Sequence, residues 1–444
     1  MATASDRLAN NLNFGALGKA TELRQRLFFT LGALIIFRLG TFLPIPGINP
    51  LALQQFFEQQ SSGILGIFDT FSGGALVRMG IFALGIMPYI SASIVVQLLG
   101  VALPYFQKLQ KEGDSGRKKM TQITRYLTII ICMFQSTAYL SGTIPSEAIL
   151  VENRFLFTIS SMIILTSGTI FCMWLGEKIT DKGIGNGISM LIMIGIISRF
   201  PGSIVAEALS KGMNQALFFI IEIIVLFLVV MFTVMLVQAI RRIPIQYAKQ
   251  VVGSSLYGGK RQYLPLKVNS SGVMPIIFAQ ALMFLPAIIG LQFAENSDFF
   301  QYIATSFSNM QSWLYNVTFA VLIIAFTFFY TAITVNPNKM ADDMKRNNGF
   351  IPGIKPGPET SDFISNVMDR ITLPGSILLA IVAILPAFAM MFGVNQSFAQ
   401  FYGGTSLLIM VGVILDTLQQ IESYLLMRHY DGMMKSGKVK GRSV

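Results

Sequence analysis

The sequence predicts an all-α polytopic membrane protein, and three observations carry this prediction. Hydrophobic residues make up 53% of the 444-residue chain, charged residues make up only 12%, and the mean hydropathy is +0.61. A soluble domain of this length could not bury so much apolar surface in one core. The apolar residues also form about ten long runs, and most Lys and Arg residues lie between alternate runs.

Apolar runs bounded by charges or turn residues predict ten transmembrane helices. We place them at 24–43, 76–101, 121–142, 155–175, 184–200, 215–239, 272–292, 313–335, 373–393 and 402–425. No cleavable signal segment is expected before the first span, because no small-residue cleavage site follows its apolar run. The first span is therefore expected to be a permanent anchor.

The distribution of basic residues predicts the orientation of these spans. Of 33 Lys and Arg residues, about 28 lie in the two termini and four alternate loops, which the positive-inside rule places in the cytoplasm. The exceptions are Arg38, Arg78, Arg154, Arg199 and Lys211. The net charge of +11 is thus mainly a topology signal, and a nucleic-acid patch is the competing interpretation.

An even number of spans with both termini inside can be divided into two halves of five. The second half would then enter the membrane from the opposite side, as in folds that build a central site between inverted repeats. The expected segments are a cytoplasmic N-terminal arm (1–23), a first half (24–200), a second half (201–427) and a cytoplasmic tail (428–444).

The second predicted span contains features that lipid alone does not tolerate. The uncharged run from Ile81 to Val101 is interrupted by Pro88 and carries Ser91, Ser93 and Gln97. Backbone breaks and polar groups at membrane depth require cover by protein or a water-filled cavity. This run is typical of the wall of a pore.

Two predicted cytoplasmic loops are far longer than a connection between two spans requires. The loop at 237–270 is strongly basic, whereas the loop at 336–371 carries Pro352, Pro356 and Pro358, which favour a stiff, exposed turn. We expect both loops to project from the membrane and to form a docking surface for a partner.

Seven motifs, in this order along the chain, resemble the SecY/Sec61-alpha family, the channel-forming subunits of protein translocases. They are FRLGTFLPIPGI, FSGGAL, GIMPYISASIVVQLL, GEKITDKGIGNGIS, LPLKVNSSGVMPIIFA, FIPGIKPG and GGTSLLI. The resemblance runs from about residue 19 to residue 430. It implies an hourglass-shaped pore between the two five-helix halves, through which unfolded secretory polypeptides cross the membrane of a bacterium.

The resemblance also implies a ring of aliphatic side chains at the waist of the pore. The matching positions are Ile86, Ile90, Ile188, Ile192, Ile277 and Ile409. The first two pairs are spaced i, i+4, which places each pair on one helix face. Taken without the family, each isoleucine would be interpreted as a core or lipid-facing residue.

By the same resemblance, residues 61–73 are a plug that closes the resting channel, with the apolar residues Ile64, Leu65, Ile67, Phe68 and Phe71. On its own this segment predicts only a re-entrant or surface helix. Gln97 and Asn269 match polar positions of a lateral gate, through which signal and transmembrane segments of clients leave for lipid. A side-chain amide in such a seam forms an interhelical hydrogen bond that is weak enough to break when the gate opens.

The resemblance implies the membrane subunits SecE and SecG, the SecA ATPase motor and the translating ribosome as partners, besides unfolded clients and the lipid bilayer. The candidate docking residues are Arg241, Arg242, Lys249, Lys260, Arg261 and Lys355. Family members commonly carry Arg at the position of Lys355, and Lys lacks the planar fork for bidentate pairing. The tip QVVGSS is also less basic than usual.

No motif in the sequence predicts an enzyme, a cofactor or a metal site. Cys132 and Cys172 lie in apolar segments and are expected to be packing residues, and the only histidine is His429 in the tail. The alternative class is a secondary active transporter with inverted repeats, which would place ionisable groups at mid-membrane. Its candidates are Glu222, Asp416 and Arg38, which form no obvious cluster in the sequence.

Overall fold

A computed structural model of the chain describes residues 21–49, 72–143, 148–151, 153–212, 215–247, 250–252, 255–257, 261–293, 298–309 and 311–435. Helices dominate these residues. In chain order they are α1 (Thr21–Gly40), α2 (Met87–Ala102), α3 (Pro104–Lys111), α4 (Asp114–Thr143), α5 (Arg154–Lys182), α6 (Gly187–Lys211), α7 (Ala216–Gln238), α8 (Met274–Phe293), α9 (Asp298–Ser308), α10 (Trp313–Thr334), α11 (Pro337–Arg346), α12 (Pro358–Met391), α13 (Gln396–Ala399) and α14 (Gly404–Lys435).

Each of the ten predicted spans overlaps one of the longer helices: α1, α2, α4, α5, α6, α7, α8, α10, α12 or α14. Within the described ranges, six helices are long and apolar enough to cross a membrane by length and composition, and a seventh crossing results if α2 and α3 form one span. These two helices are bent by 101° at Leu103. The bend falls before Pro104, which disfavours helical backbone at the residue preceding it.

Helix α7 shows why the chain needs a lipid environment. Its most apolar stretch has a mean hydropathy of 3.1, yet only 17% of it is buried inside the protein. Leu217, Phe218 and Phe227 are each more than half exposed. Water would penalise so large an apolar surface, whereas hydrocarbon does not.

The first of two compact units comprises Met1–Gly202 and Val413–Val444. The turn between α5 and α6 is held inside this unit by two side chains from distant parts of the sequence. Thr30 of α1 accepts a hydrogen bond from the Ile184 amide at 3.1 Å, and Gln420 of α14 accepts one from the Gly185 amide at 2.8 Å. These bonds satisfy backbone groups at a helix junction that lacks its own partners.

The start of α2 differs from the sequence prediction. A helix was expected from residue 76, but residues 72–86 form successive turns and α2 begins only at Met87. Met79 and Gly85 have positive φ angles of 48° and 52°, which a right-handed helix does not contain. Pro88 then lies in the first turn of α2, where its missing N–H costs no helical hydrogen bond.

The second compact unit comprises Ser203–Gly412 and contains, besides helices, two small antiparallel sheets that the sequence analysis did not predict. The strands are β1 (Ile240–Tyr247), β2 (Gln250–Val252), β3 (Ser255–Tyr257), β4 (Arg261–Lys267) and β5 (Gly349–Phe350). One sheet has the order β4-β1-β5, and β2 pairs with β3 in the other. Both long loops therefore contain regular structure.

Candidate functional site

The two long loops predicted to dock a partner are joined in one sheet. In β1, Gln246 pairs with Phe350 and Tyr247 pairs with Gly349 of β5, which belongs to the second loop. On its other side, β1 pairs with β4 along almost its whole length, from Ile240 opposite Lys267 to Gln246 opposite Arg261. We call the β4-β1-β5 sheet, helix α11 and the turn after β5 (351–357) the platform.

The platform has a hydrophobic core of its own. Ile243 and Ile245 from the first loop pack with Ile351 from the second, and each is at most 4% exposed. Met344 of α11 and two residues of α12, Ile364 and Met368, complete this core together with Leu266. Since buried aliphatic contacts fix the loops against each other, the platform is a structured surface and not a pair of free linkers.

The platform presents basic side chains at its surface. Arg241 and Arg242 are exposed on β1, and as neighbours in a strand they point to opposite faces of the sheet. Lys355 has an 85% exposed side chain and lies 3.7 Å from Glu359, an exposed pair that contributes little stability. Lys249 and Lys260 lie outside the described residues, and of Arg261 only the backbone is described.

Four of the predicted ring isoleucines lie in the first unit, each close to the start of a helix. Ile86 is the residue preceding α2, and the Ile90 amide donates to its carbonyl at 3.0 Å. Ile188 and Ile192 lie in the first two turns of α6, where Asn186 accepts hydrogen bonds from the Ile188 and Ser189 amides. Ile86 and Ile192 are buried, whereas Ile90 and Ile188 are half-buried.

The other two ring isoleucines lie in the second unit, also near helix starts. Ile277 is in the first turn of α8 and 9% exposed, and Ile409 is in the second turn of α14 and fully buried. All six positions therefore lie next to a helix start or within the first two turns of a helix. Their convergence on one constriction stays a prediction.

The predicted plug residues Ile64, Leu65, Ile67, Phe68 and Phe71 lie outside the described residues. The segment that follows them is held to α1, since Arg38 donates a hydrogen bond to the Gly73 carbonyl at 2.9 Å. A Cβ atom on Gly73 would come within 2.7 Å of the Arg38 side chain and 3.0 Å of the Gly195 backbone. Glycine at this position, where φ is +67°, thus permits a close approach to α6 as well as a left-handed backbone.

The two predicted gate residues have local hydrogen bonds in their own units. Gln97 of α2 donates to Ser93 one turn earlier, at 3.3 Å. Asn269 is 6% exposed and accepts a hydrogen bond from Ser271 at 3.1 Å. Asn269 precedes α8 in a turn instead of lying within the helix, so its amide faces a junction of loop and span.

The structure reveals a charged cluster that the sequence analysis did not find. Lys211 at the end of α6 contacts two carboxylates, Glu207 at 3.2 Å and Glu222 of α7 in a close ion pair. Glu207 also accepts a hydrogen bond from the Asn395 amide at 3.0 Å. The i, i+4 spacing of Glu207 and Lys211 was a readable signal, but no pattern linked either residue to Glu222.

This cluster bears on the transporter alternative. Glu222, its best ionisable candidate, lies near the start of α7 and is neutralised by Lys211, while Asp416 on α14 is exposed. Arg38 is engaged with the Gly73 carbonyl. The three candidates thus have separate environments, and no observation favours a coupling-ion site built from them.

Cys132 and Cys172 are buried free thiols.

Long apolar helices with exposed surfaces, and a structured basic platform in the second unit, define a multi-pass membrane protein. The SecY family model matches residues 80–418, which is more than half of the chain. The chain belongs to the SecY family. Since this is a family of channels, the assignment places the chain among channels and not among enzymes.

Relatives extend this likeness over nearly the whole chain. The protein translocase subunit SecY of Streptomyces galbus is 43% identical over 438 residues, covering 95% of this chain and 99% of the relative. The protein of the same description from Mycobacterium bovis is 41% identical over 435 residues, covering 94% and 98%.

Solved structures confirm the predicted helical, multi-span fold. One match is a structure described as that of a protein conducting channel. The alignment covers 92% of this chain and 93% of the channel's chain, with a TM-score of 0.63 at 18% sequence identity. Sec61 in the canine ribosome-channel complex from the endoplasmic reticulum covers 92% and 93%, with a TM-score of 0.58 at 17% identity. The fold of this chain is therefore that of SecY and Sec61 channels.

Proposed function

We propose that this chain is the protein-conducting channel of a translocase in a bacterial cytoplasmic membrane, with both termini in the cytoplasm. The observation that carries the proposal is the likeness to SecY translocase subunits over 95% of the chain. The distribution of Lys and Arg supports the orientation. The clients are unfolded secretory polypeptides and the transmembrane segments of membrane proteins.

The six isoleucines form the seal of the channel in this proposal. Aliphatic side chains offer water no hydrogen bonds, so a narrow constriction that they line dewets and resists ions. They also offer no polar grip to a passing chain of any sequence. A client would cross one thin apolar ring and otherwise remain hydrated, which avoids several kcal/mol for each backbone group that lipid would leave unsatisfied.

The plug at 61–73 closes the resting channel, and the seam that carries Gln97 and Asn269 opens toward lipid. An interhelical hydrogen bond of an amide in a membrane contributes about 0.5–2 kcal/mol, which holds a seam closed but permits opening. Once the seam is open, an apolar client segment partitions into lipid according to its own transfer free energy. Export and membrane insertion then share one channel.

The platform docks the partners that supply energy, because the channel hydrolyses nothing itself. The SecA motor and the translating ribosome bind its basic surface, and SecE and SecG accompany the chain in the membrane. Support comes from the shared core of the two loops, which presents Arg241, Arg242 and Lys355 on one structured element. A rigid basic surface pays less ordering entropy on binding than two flexible loops would.

The test is transport of a radiolabelled secretory precursor into vesicles that contain this chain with SecE, SecG, SecA and ATP. We expect protease-protected precursor to accumulate with the unaltered chain. The double variant Arg241→Glu and Lys355→Glu should reduce both SecA binding and transport, because it places like charges against an acidic partner surface. The matched control is Lys118→Glu, an exposed residue of α4 outside the platform.

The two measurements separate the two parts of the proposal. Transport by the unaltered chain with undiminished SecA binding by the double variant would exclude the platform as the docking surface. Absence of transport by the unaltered chain, in vesicles where a known translocase is active, would exclude the channel function itself.

A further inference from the structure

The second unit contains a pocket of about 420 Å³ that is lined partly by β4 and α11 of the platform, but by none of the residues proposed to dock a partner. Its lining comes from the end of β4 and the turn after it, from the end of α10 and from the first turns of α11. The lining residues that carry polar or charged groups are Lys267, Ser270, Thr334, Asn336, Lys339 and Asp343.

The charge of this pocket favours an anion. Lys267 and Lys339 are exposed, and both line the pocket, whereas Asp343 contributes the opposing charge. The N-terminus of α11 also lies at the pocket, with Asn336 accepting a hydrogen bond from the Lys339 amide at 3.1 Å. A helix N-terminus adds partial positive charge to that of the two ammonium groups.

The position of the pocket specifies where such an anion would come from. Lys267 and Ser270 stand in the stretch just before α8 begins at Met274, and Thr334 is the last residue of α10. Helices α8 and α10 pack against each other and overlap the seventh and eighth predicted spans. The pocket therefore lies at the ends of two neighbouring predicted spans, where we expect the lipid headgroups.

Apolar residues complete the lining. Pro265, Leu266, Val335 and Met340 provide a surface on which the glycerol and first acyl carbons of a lipid can pack. A free phosphate would leave this apolar part of the lining unused. A basic pocket between spans at the membrane surface is typical of a site for an anionic lipid headgroup.

We propose that this pocket binds the headgroup of an anionic phospholipid, with its phosphate between Lys267 and Lys339. Asp343 limits the affinity, because its carboxylate faces the same volume. In the proposed orientation this end of the two spans faces the cytoplasm, so the site would take lipid from the cytoplasmic leaflet.

A photocrosslinker inside the pocket tests this proposal on the full-length chain. Met340 is replaced by benzoylphenylalanine, the protein is reconstituted in vesicles of equal parts phosphatidylglycerol and phosphatidylcholine, and mass spectrometry identifies the lipid adducts. We expect phosphatidylglycerol adducts to exceed phosphatidylcholine adducts. The same crosslinker at Phe227, an exposed position of α7, should give a ratio close to the vesicle composition.

Variants that remove charges of opposite sign distinguish an electrostatic site from a merely structural effect. Each of Lys267→Gln and Lys339→Gln should lower the enrichment about fivefold, since a basic residue near a membrane surface contributes about 1 kcal/mol. Asp343→Asn should raise the enrichment, which loss of structure would not do. Lys355→Gln, on the exposed turn of the platform, should leave it unchanged.

Three outcomes would overturn the proposal. Equal adducts of the two lipids in the unaltered pocket would exclude anion selectivity. Enrichment that persists when Lys267→Gln and Lys339→Gln are combined would exclude these two residues as the phosphate ligands. An adduct of added water-soluble glycerol phosphate without any enrichment of phosphatidylglycerol would identify a free phosphate as the ligand, whereas phosphatidylglycerol enrichment that persists in its presence supports the lipid. Transport activity does not enter this test, so its outcome is independent of the proposed channel function.

Discussion

Lys211 contacts two carboxylates in a part of the second unit that is almost closed to solvent. Its side chain is 10% exposed, and those of Glu207 and Glu222 are 0% and 13% exposed. Bringing three charges out of water is unfavourable unless they compensate each other. The cluster ties the end of α6 to the start of α7 and, through the Asn395 amide, to the segment before α13.

We predict that Lys211→Met lowers the free energy of unfolding by about 3–5 kcal/mol, because it leaves two buried carboxylates without a cation. Thermal unfolding of the purified chain in a neutral detergent measures the effect. Glu222→Gln, which leaves one carboxylate opposite one ammonium, should be much milder. The control variant Lys355→Met removes an exposed ion pair and should leave the midpoint of thermal unfolding unchanged. An equal loss of stability in both lysine variants would contradict a special role for the buried cluster.

At the scale of elements, two glycines of α6 have opposite surroundings. A Cβ atom on Gly187 would lie 1.9 Å from the Gly176 carbonyl oxygen of α5, whereas one on Gly202 would meet nothing within 4 Å. The backbone contact at Gly187 sets the position of the first turns of α6, which carry Ile188 and Ile192. Close helix packing through small residues is characteristic of membrane helices.

The same substitution at these two positions should therefore change the free energy of unfolding in opposite directions. Gly187→Ala must push α5 and α6 apart, so we expect a loss of about 1–3 kcal/mol of unfolding free energy. Gly202→Ala should stabilise the chain by up to about 1 kcal/mol, because alanine is the better helix former and meets no neighbour. Thermal unfolding of both variants in the same detergent measures the two changes in stability. Stabilisation by Gly187→Ala would refute the close contact between α5 and α6.

The sequence predicted the location of the long helices well because their signal is mean hydropathy over many residues. It failed at the start of α2, where the residues are apolar but Met79 and Gly85 adopt a left-handed backbone that hydropathy does not report. Their neighbours pack in the core of the first unit, where Tyr139 donates to the Leu76 carbonyl at 2.7 Å. Tertiary contacts therefore override the expected helix.

The platform sheet was missed for a different reason. Ile243 and Ile245 of β1 show the two-residue alternation of a half-buried strand, but Pro244 between them argues against one. In the structure Pro244 pairs with Tyr263 of β4 on one side only, because β5 reaches no further along β1 than Gln246. Pro244 thus lies where β1 has a neighbouring strand on one side only, which is where sheets tolerate proline, and this position depends on strand lengths that are not encoded locally.

At the scale of the whole molecule, the ring isoleucines are divided between the two units. Ile86, Ile90, Ile188 and Ile192 belong to the first unit, and Ile277 and Ile409 to the second. The family resemblance predicted these positions, and each lies close to a helix start in the structure. Whether they line one constriction is a property of the assembled channel that ion conductance can measure.

Replacing one isoleucine from each unit with asparagine tests this shared seal. Ile90→Asn and Ile277→Asn should each raise the ion leak of reconstituted vesicles, since a polar side chain keeps a narrow constriction wet. If both line one ring, their reductions of the energy barrier add, and because conductance depends exponentially on the barrier the double variant should leak more than the sum of the single variants. Two separate leaks would conduct in parallel and give only that sum. Ile163→Asn, at an exposed position of α5, is the matched control and should not leak. A double variant no leakier than the sum, with folding intact, would show that the two units do not close around one apolar ring.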